Sequence, residues 1–128
     1  MKPMVSVVTS CHNETRYLPE AIESILDQSF VDYEFILIDD GSTDNTLEIV
    51  RRYERKDKRI VVIEKPNTGL ADSLNIGIGL AKGKWIARLD ADDVAIKERI
   101  EKQVNFVEDD ENIVLLGTGC FVIDETGR

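Results

Sequence analysis

Three aspartates within four residues follow a short apolar run late in the chain. Residues 85–89 are of strand type, and Asp90, Asp92 and Asp93 come directly after them. Carboxylate oxygens are the ligands that hard cations such as Mg²⁺ and Mn²⁺ prefer. In an extended chain Asp90 and Asp92 point the same way and could share one cation. The alternative is a solvated turn before an acidic helix start, because aspartate is favoured at N-caps. This stretch alone leaves both interpretations open.

A second acid pair, Asp39 and Asp40, follows the apolar run 33–38. A carboxylate at this point could accept a hydrogen bond from the imide N–H of a nucleobase. It could equally close a helix-capping turn, with Asp40 bonded to its own backbone. A combined role, with one acid capping and the other binding, also stays open.

Two further polar segments contain residues that could contact a ligand. His12 is the only histidine and lies beside Asn13 between the first strand and the first helix. It could stack on a base or contact a phosphate, although a lone loop histidine usually does neither. Lys65 and residues 67–69 open a helix, which favours either an anion or base contact or a plain turn.

Strands alternate with helices, and the strands are continuous apolar runs. This pattern is typical of an α/β protein with a mostly parallel sheet covered by helices on both faces. Ligands bind such sheets at the carboxyl ends of the strands, so the loops 9–14, 39–44 and 90–93 should meet at one edge. The expected strands are 4–8, 33–38, 59–64 and 84–89, the main helices 17–28, 70–82 and 96–108, and two last strand-like runs 113–117 and 120–124.

The composition limits which partners the protein could bind and which cellular compartment we expect for it. The 128 residues carry a net charge of −9, which argues against nucleic acid or an anionic membrane surface as partner. The basic run 51–59 is interrupted by acids and reads as the exposed end of a helix. Cys11 and Cys120 give no disulfide framework. With no signal peptide and no membrane-spanning segment, we expect a cytoplasmic chain.

The ordered motifs resemble the family 2 glycosyltransferases over nearly the whole chain. The resemblance implies a GT-A fold, Rossmann-like, and metal-dependent transfer of a sugar from a nucleoside diphosphate donor to an acceptor hydroxyl with inversion. It implies Mn²⁺ or Mg²⁺ as cofactor, a UDP-sugar as the expected donor, and a carbohydrate or lipid-linked acceptor of cell-wall or polysaccharide biosynthesis. The matching segments are 5–14, 21–30, 35–44, 67–69, 74–75 and 89–93.

The same resemblance implies the site residues. Asp40 would read the base with Asp39 beside it, and Asp90 and Asp92 would form the DxD metal motif, with Asp92 as the direct ligand and Asp93 bracing the next helix. The family usually has tyrosine where this chain has His12, so any base stacking there is altered or lost. Ser10 and Cys11 replace a Pro-Val type pair that is common in the family. The implied nucleotide-sugar site comprises Thr9, His12, Asn13, Glu14, Asp39, Asp40, Asn67, Gly69, Asp90, Ala91 and Asp92.

No residue up to Arg128 matches the family's general base, an acid well past the DxD motif in the acceptor half. We therefore expect residues 1–128 to be the N-terminal, donor-binding portion of a single GT-A domain, without the acceptor-binding half. Such a chain should bind nucleotide without efficient transfer. Its exposed sheet edge should invite pairing between chains.

Two other classes of protein fit the pattern less well. A non-catalytic α/β nucleotide-binding or receiver-like regulatory module would want its acid pair after the first strand, whereas here the pair follows the second. A nucleotidyltransferase would want a glycine-rich basic loop after the first strand, and residues 9–13 are not one.

Overall fold

Four parallel strands form one sheet, in which the third strand along the chain pairs with the second, the second with the first, and the first with the fourth. The computed structural model describes residues 1–128. The parallel sheet predicted from the continuous apolar runs is confirmed. Its elements are β1 Val5–Cys11, α1 Leu18–Leu26, β2 Tyr33–Asp40, α2 Thr46–Lys56, β3 Ile60–Lys65, α3 Leu70–Leu80, β4 Trp85–Arg88 and α4 Arg99–Glu108.

Helices cover both faces of the sheet, as predicted. Val7 of β1 and Phe35 of β2 are fully buried in the main core with α1, α2 and α4. The alternate residues Val8 and Ile36 face the other way, into a smaller cluster beside α3. The two inner strands are thus buried on both faces, which explains why they read as continuous apolar runs.

The register brings the carboxyl ends of the strands together at one edge. Cys11 of β1 is paired with Asp39 of β2, and Asp40 is paired with Lys65 of β3. On the other side of β1, Val8 is paired with Arg88, the last residue of β4. The loops after all four strands therefore leave from the same edge. Thr9, Asp39 and Asp40 lie within strand ends rather than in the loops where the sequence had placed them.

The prediction of strands at 113–117 and 120–124 is wrong. The chain there has no regular secondary structure and no partner strand, and Leu115 and Phe121 are about nine-tenths exposed. A β-branched apolar run becomes a strand only where another strand can pair with it. No helix of the structure is long and apolar enough to cross a membrane.

Helix α4 begins at Arg99, three residues later than predicted. The buried amide of Gln28 holds the preceding segment by donating to the carbonyl of Ile96 and accepting from the N–H of Ile100. Ser29 adds a backbone bond to the carbonyl of Lys97. These bonds fix the segment between β4 and α4 against the end of α1.

Candidate functional site

The carboxylate of Asp40 holds the loop between β3 and α3. Asp40 is buried at the end of β2. It accepts hydrogen bonds from the backbone N–H groups of Thr68 (2.9 Å) and Gly69 (3.0 Å) and from the ammonium of Lys65. Residues 65–69, which we call the clamped loop, are thereby fixed against β2.

These bonds determine the charge of Asp40. Burial alone would raise its pKa, but the Lys65 ammonium and the N–H groups of Thr68 and Gly69 outweigh burial and lower the pKa to about 2. The group is therefore ionised at neutral pH, and an ionised carboxylate can only accept hydrogen bonds. Of its roughly four acceptor positions three are taken, which leaves one on Oδ2.

Lys65 is the second member of this buried pair. Its side chain is only 9% exposed, and Nζ also donates to the carbonyl of Pro66 (2.9 Å) and to the hydroxyl of Thr68. The sequence had left Lys65 open as a ligand contact or a plain turn residue, and missed its pairing with Asp40. The indication was there: a lysine ends the strand next to one that ends in aspartate.

The ring of His12 is fixed by its neighbours. Nδ1 lies 2.8 Å from the carbonyl oxygen of Asp40, and a carbonyl only accepts, so the proton is assigned to Nδ1. Nε2 then accepts from the side-chain amide of Asn13 at 3.3 Å. The amide of Asn67 donates to the same Asp40 carbonyl at 3.1 Å. The predicted residues His12 and Asn67 thus contact the backbone carbonyl of Asp40, and Asn13 contacts His12.

Asn13 joins the loop after β1 to the loop after β2. Its φ of 52° lies in the left-handed region, which asparagine tolerates better than most residues. Its side-chain oxygen accepts the N–H of Thr43 at 2.8 Å, and its own N–H donates to the hydroxyl of Ser42 at 3.0 Å. Next to it, the N–H of Glu14 donates to the hydroxyl of Thr46 at 2.8 Å.

Asp39 and Thr9 are buried and bonded within the protein. Asp39 accepts the N–H of Ser42 at 3.1 Å, and its other carboxylate oxygen is buried without a partner. Thr9 donates to the carbonyl of Leu89 at 2.8 Å, which ties β1 to the end of β4. Burial, with the nearby charge of Asp39, raises the pKa of the Cys11 thiol to about 12. The acid that closes the turn after β2 is therefore Asp39; of the alternatives that the sequence left open, the turn closed by Asp40 is wrong.

Residues 90–93 form a turn, which we call the acidic turn. The N–H of Asp93 donates to the carbonyl of Asp90, so the extended arrangement expected for Asp90 and Asp92 is wrong. β4 ends at Arg88, and no strand register extends the chain beyond it. The Asp90 carboxylate accepts from the Arg88 guanidinium at 2.6 Å, while Asp92 is exposed. The N–H groups of Ala91 and Asp92 donate to no backbone carbonyl.

The acidic turn is short of positive charge. Burial and then the charge of Asp92 raise the pKa of Glu14, and burial with Asp90 and Asp92 raises that of Asp93. No three metal-binding side chains lie close enough to hold an ion by themselves. The carboxylates of Asp90 and Asp92 are two hard oxygen donors. Such a pair fits Mg²⁺ or Mn²⁺, which commonly bind through one or two carboxylates and complete their shell with phosphate oxygens and water.

Arg99 braces the acidic turn and was not singled out from the sequence. Its guanidinium donates to the carbonyl of Arg88 at 2.8 Å. Burial lowers its pKa and the charge of Asp93 opposes this shift. A cation at the first residue of a helix opposes the helix dipole, which is the indication that could have marked Arg99 as unusual.

Several named glycosyltransferases are similar to this chain. An uncharacterized glycosyltransferase of Methanocaldococcus jannaschii is 43% identical over 130 residues, 99% of this chain and 45% of its own length. TuaG of Bacillus subtilis, provisionally named for teichuronic acid biosynthesis, is 42% identical over 83% of this chain and 42% of its own. The chain thus spans about half the length of the curated relatives it matches.

Solved structures share the fold. Staphylococcus aureus TarS 1–349 in complex with UDP-GlcNAc superimposes with a TM-score of 0.77 at 30% identity, covering 85% of this chain and 32% of that one. A mannosyltransferase of Pyrobaculum calidifontis in complex with GDP-Man and Mn²⁺ gives 0.76 at 25% identity, covering 84% and 33%.

The match to a family model extends over almost every residue described above. The model for glycosyl transferase family 2 matches residues 6–128, from β1 through all four loops at the carboxyl edge. The Rossmann-like parallel sheet, shared with GT-A glycosyltransferases, agrees with this match. The chain has the GT-A fold and belongs to glycosyl transferase family 2.

Proposed function

We propose that this chain is the donor-binding part of a glycosyltransferase that moves a sugar from a nucleoside diphosphate to an acceptor hydroxyl. Family membership supports the reaction class, and complexes of similar proteins with UDP-GlcNAc and GDP-Man support the donor class. The receiver-like alternative has no comparable support. We take a UDP-sugar as the donor, in line with the TarS complex.

The observation that carries this proposal is the contrast in charge along one sheet edge. The ionised Asp40 carboxylate keeps one acceptor position, which suits the ring N–H of a uracil or guanine base. Farther along the same edge, Asp92 is exposed and not ion-paired. A base that donates and a diphosphate bound through a cation would match these two places.

The remaining predicted residues would line the nucleoside. We propose that the His12 ring, fixed by Asp40 and Asn13, stacks on the base, and that Asn67 and Gly69 hold the base against Asp40. Thr9 and Asp39 would act by fixing the strand ends, since both are buried. The proposed site set is Thr9, His12, Asn13, Glu14, Asp39, Asp40, Asn67, Gly69, Asp90, Ala91 and Asp92.

Asp90 and Asp92 would hold Mn²⁺ or Mg²⁺, with Asp92 as the direct ligand. Bound there, the cation would neutralise the diphosphate as a leaving group. The acidic turn would otherwise repel a diphosphate, because unit charges of the same sign about 4 Å apart repel by about 4 kcal/mol near a protein surface. The N–H groups of Ala91 and Asp92, which donate to no backbone carbonyl, would donate to phosphate oxygens.

The transfer step needs a base that this chain does not supply in any recognisable position. We propose that a carboxylate in an acceptor-binding part of the protein deprotonates the acceptor hydroxyl, and that one in-line attack inverts the sugar carbon. The matched relatives are about twice as long, which leaves room for such a part. A carbohydrate or lipid-linked acceptor of cell-wall synthesis would agree with the name of TuaG.

Calorimetry of UDP with and without Mn²⁺ tests the proposal. We expect Mn²⁺ to tighten UDP binding about tenfold or more, equal to about 1.4 kcal/mol, and Asp92→Ala to remove that gain. Asp109→Ala, which deletes an exposed acid at the end of α4, is the matched control and should keep it. UDP binding that ignores both the metal and Asp92→Ala would refute the metal assignment.

A further inference from the structure

Arg88 and Asp90 form the one ion pair that involves a predicted metal ligand. The guanidinium of Arg88 lies 2.6 Å from Oδ1 of Asp90. The two side chains are 53% and 46% exposed, so solvent reaches both partners. The pair occupies Oδ1 of Asp90, and a guanidinium this close to the carboxylate opposes a cation on either of its oxygens.

The backbone of Arg88 is fixed while its side chain is not. β4 pairs Arg88 with Val8, and the guanidinium of Arg99 donates to the Arg88 carbonyl at 2.8 Å. Arg99 is partly buried and cannot leave without losing that bond. The exposed Arg88 side chain has Asp90 as its only ion-pair partner, so it can rotate away without disturbing β4.

A divalent cation and a guanidinium cannot share one carboxylate oxygen without strong repulsion. The carboxylates of the acidic turn therefore have two alternative counter-ions. When the metal takes Asp90, the Arg88 guanidinium is released at the edge where the diphosphate would lie. An arginine so released can form paired hydrogen bonds with phosphate oxygens.

We propose that Arg88 is the counter-ion of Asp90 in the metal-free protein and that a divalent cation displaces the Arg88 guanidinium. The released guanidinium then binds the diphosphate of the donor. This inference rests on the proposed function, because it assumes that Asp90 and Asp92 bind the metal. It makes Arg88 a second residue that recognises the diphosphate, beyond the acids of the DxD motif. It also predicts that Arg88 opposes binding of the metal alone and favours binding of the nucleotide once the metal is bound.

Two titrations of Arg88→Gln test this prediction. Mn²⁺ alone, followed by the loss of the free-ion electron paramagnetic resonance signal, should bind about two- to fivefold more tightly, the range expected for releasing an exposed ion pair. UDP, titrated by calorimetry at saturating Mn²⁺, should bind more weakly by a similar factor, because the released guanidinium is then missing. The two shifts have opposite signs, which destabilisation of the fold cannot produce.

Arg55→Gln is the matched control, because Arg55 is exposed in the last turn of α2 and its substitution removes the same charge at a distance. This control should leave both titrations close to wild type. Equal behaviour of the Arg88→Gln and Arg55→Gln variants, or shifts of the same sign for Mn²⁺ and UDP, would overturn the role of Arg88. Failure of the wild-type chain to bind UDP even with Mn²⁺ would instead overturn the proposed function.

Discussion

The two ends of the candidate site are built differently. At the clamped loop a buried carboxylate, Asp40, is met by two backbone N–H groups and a buried lysine. At the acidic turn the carboxylates are exposed, one is held only by Arg88, and two N–H groups have no backbone partner. The charge of the first end is balanced within the protein, with one acceptor position left open, whereas the second end lacks counter-charge.

The difference between the two ends indicates which part of a ligand each can bind without an added cation. A neutral base needs only a fixed acceptor, and preorganising that acceptor lowers the cost of binding. A diphosphate brings its own charge, so an acidic turn can receive it only together with a cation. The clamped loop should therefore matter for folding and the acidic turn for ion-dependent binding, and the following predictions test that division.

The largest effect is expected from removing Asp40. Asp40→Ala removes the buried carboxylate partner of Lys65, whose ammonium keeps only the half-exposed carboxylate of Asp72 at 3.5 Å. Breaking a buried ion pair in this way costs about 3–5 kcal/mol. Asp92→Ala at the acidic turn should change stability by less than about 0.5 kcal/mol, since the residue is exposed. Urea unfolding of both variants measures this difference. Similar losses in the two variants would contradict it.

A smaller effect is expected from Gly41→Ala. Gly41 has a φ of 66°, and a Cβ there would lie 2.5 Å from the backbone nitrogen of Asn67 in the clamped loop. Left-handed strain and this contact together should cost about 2–4 kcal/mol. Gly69→Ala also meets a positive φ, of 98°, but no atom lies within 4 Å of the added Cβ, so only backbone strain of about 1–3 kcal/mol is expected. Equal losses of stability in the two variants would mean that the clamped loop does not contact a Cβ added at position 41.

Acid should weaken the clamped loop in a defined range of pH. The pKa of Asp40 is lowered from its ordinary 3.8 to about 2, so its ionised form stabilises the fold above about pH 4. That contribution is lost as the pH falls from about 4 to about 2. Urea unfolding across this range should show a steeper loss of stability in wild type than in Lys65→Met, which lacks the ammonium. Parallel pH profiles would contradict the assigned pairing.

Much of the fold was readable from the sequence because its inner strands are apolar on both faces. The same reasoning placed the loops after β1, β2 and β4 at one edge. It failed at residues 113–117 and 120–124, where a strand-like pattern has no partner strand. It also failed at Asp90, because the pairing of β4 with β1 ends at Arg88 and the chain turns after it. The roles of Lys65 and Arg99 depend on contacts between distant segments, which periodicity does not encode.

The most direct test compares uridine with UDP in the presence and absence of Mn²⁺. If the clamped loop receives the base and the acidic turn receives the diphosphate through a cation, Mn²⁺ should leave the affinity for uridine unchanged. It should raise the affinity for UDP about tenfold or more, equal to about 1.4 kcal/mol. Calorimetric titration of the wild-type chain measures all four affinities. Equal dependence of uridine and UDP on Mn²⁺, or no dependence of either, would contradict the account.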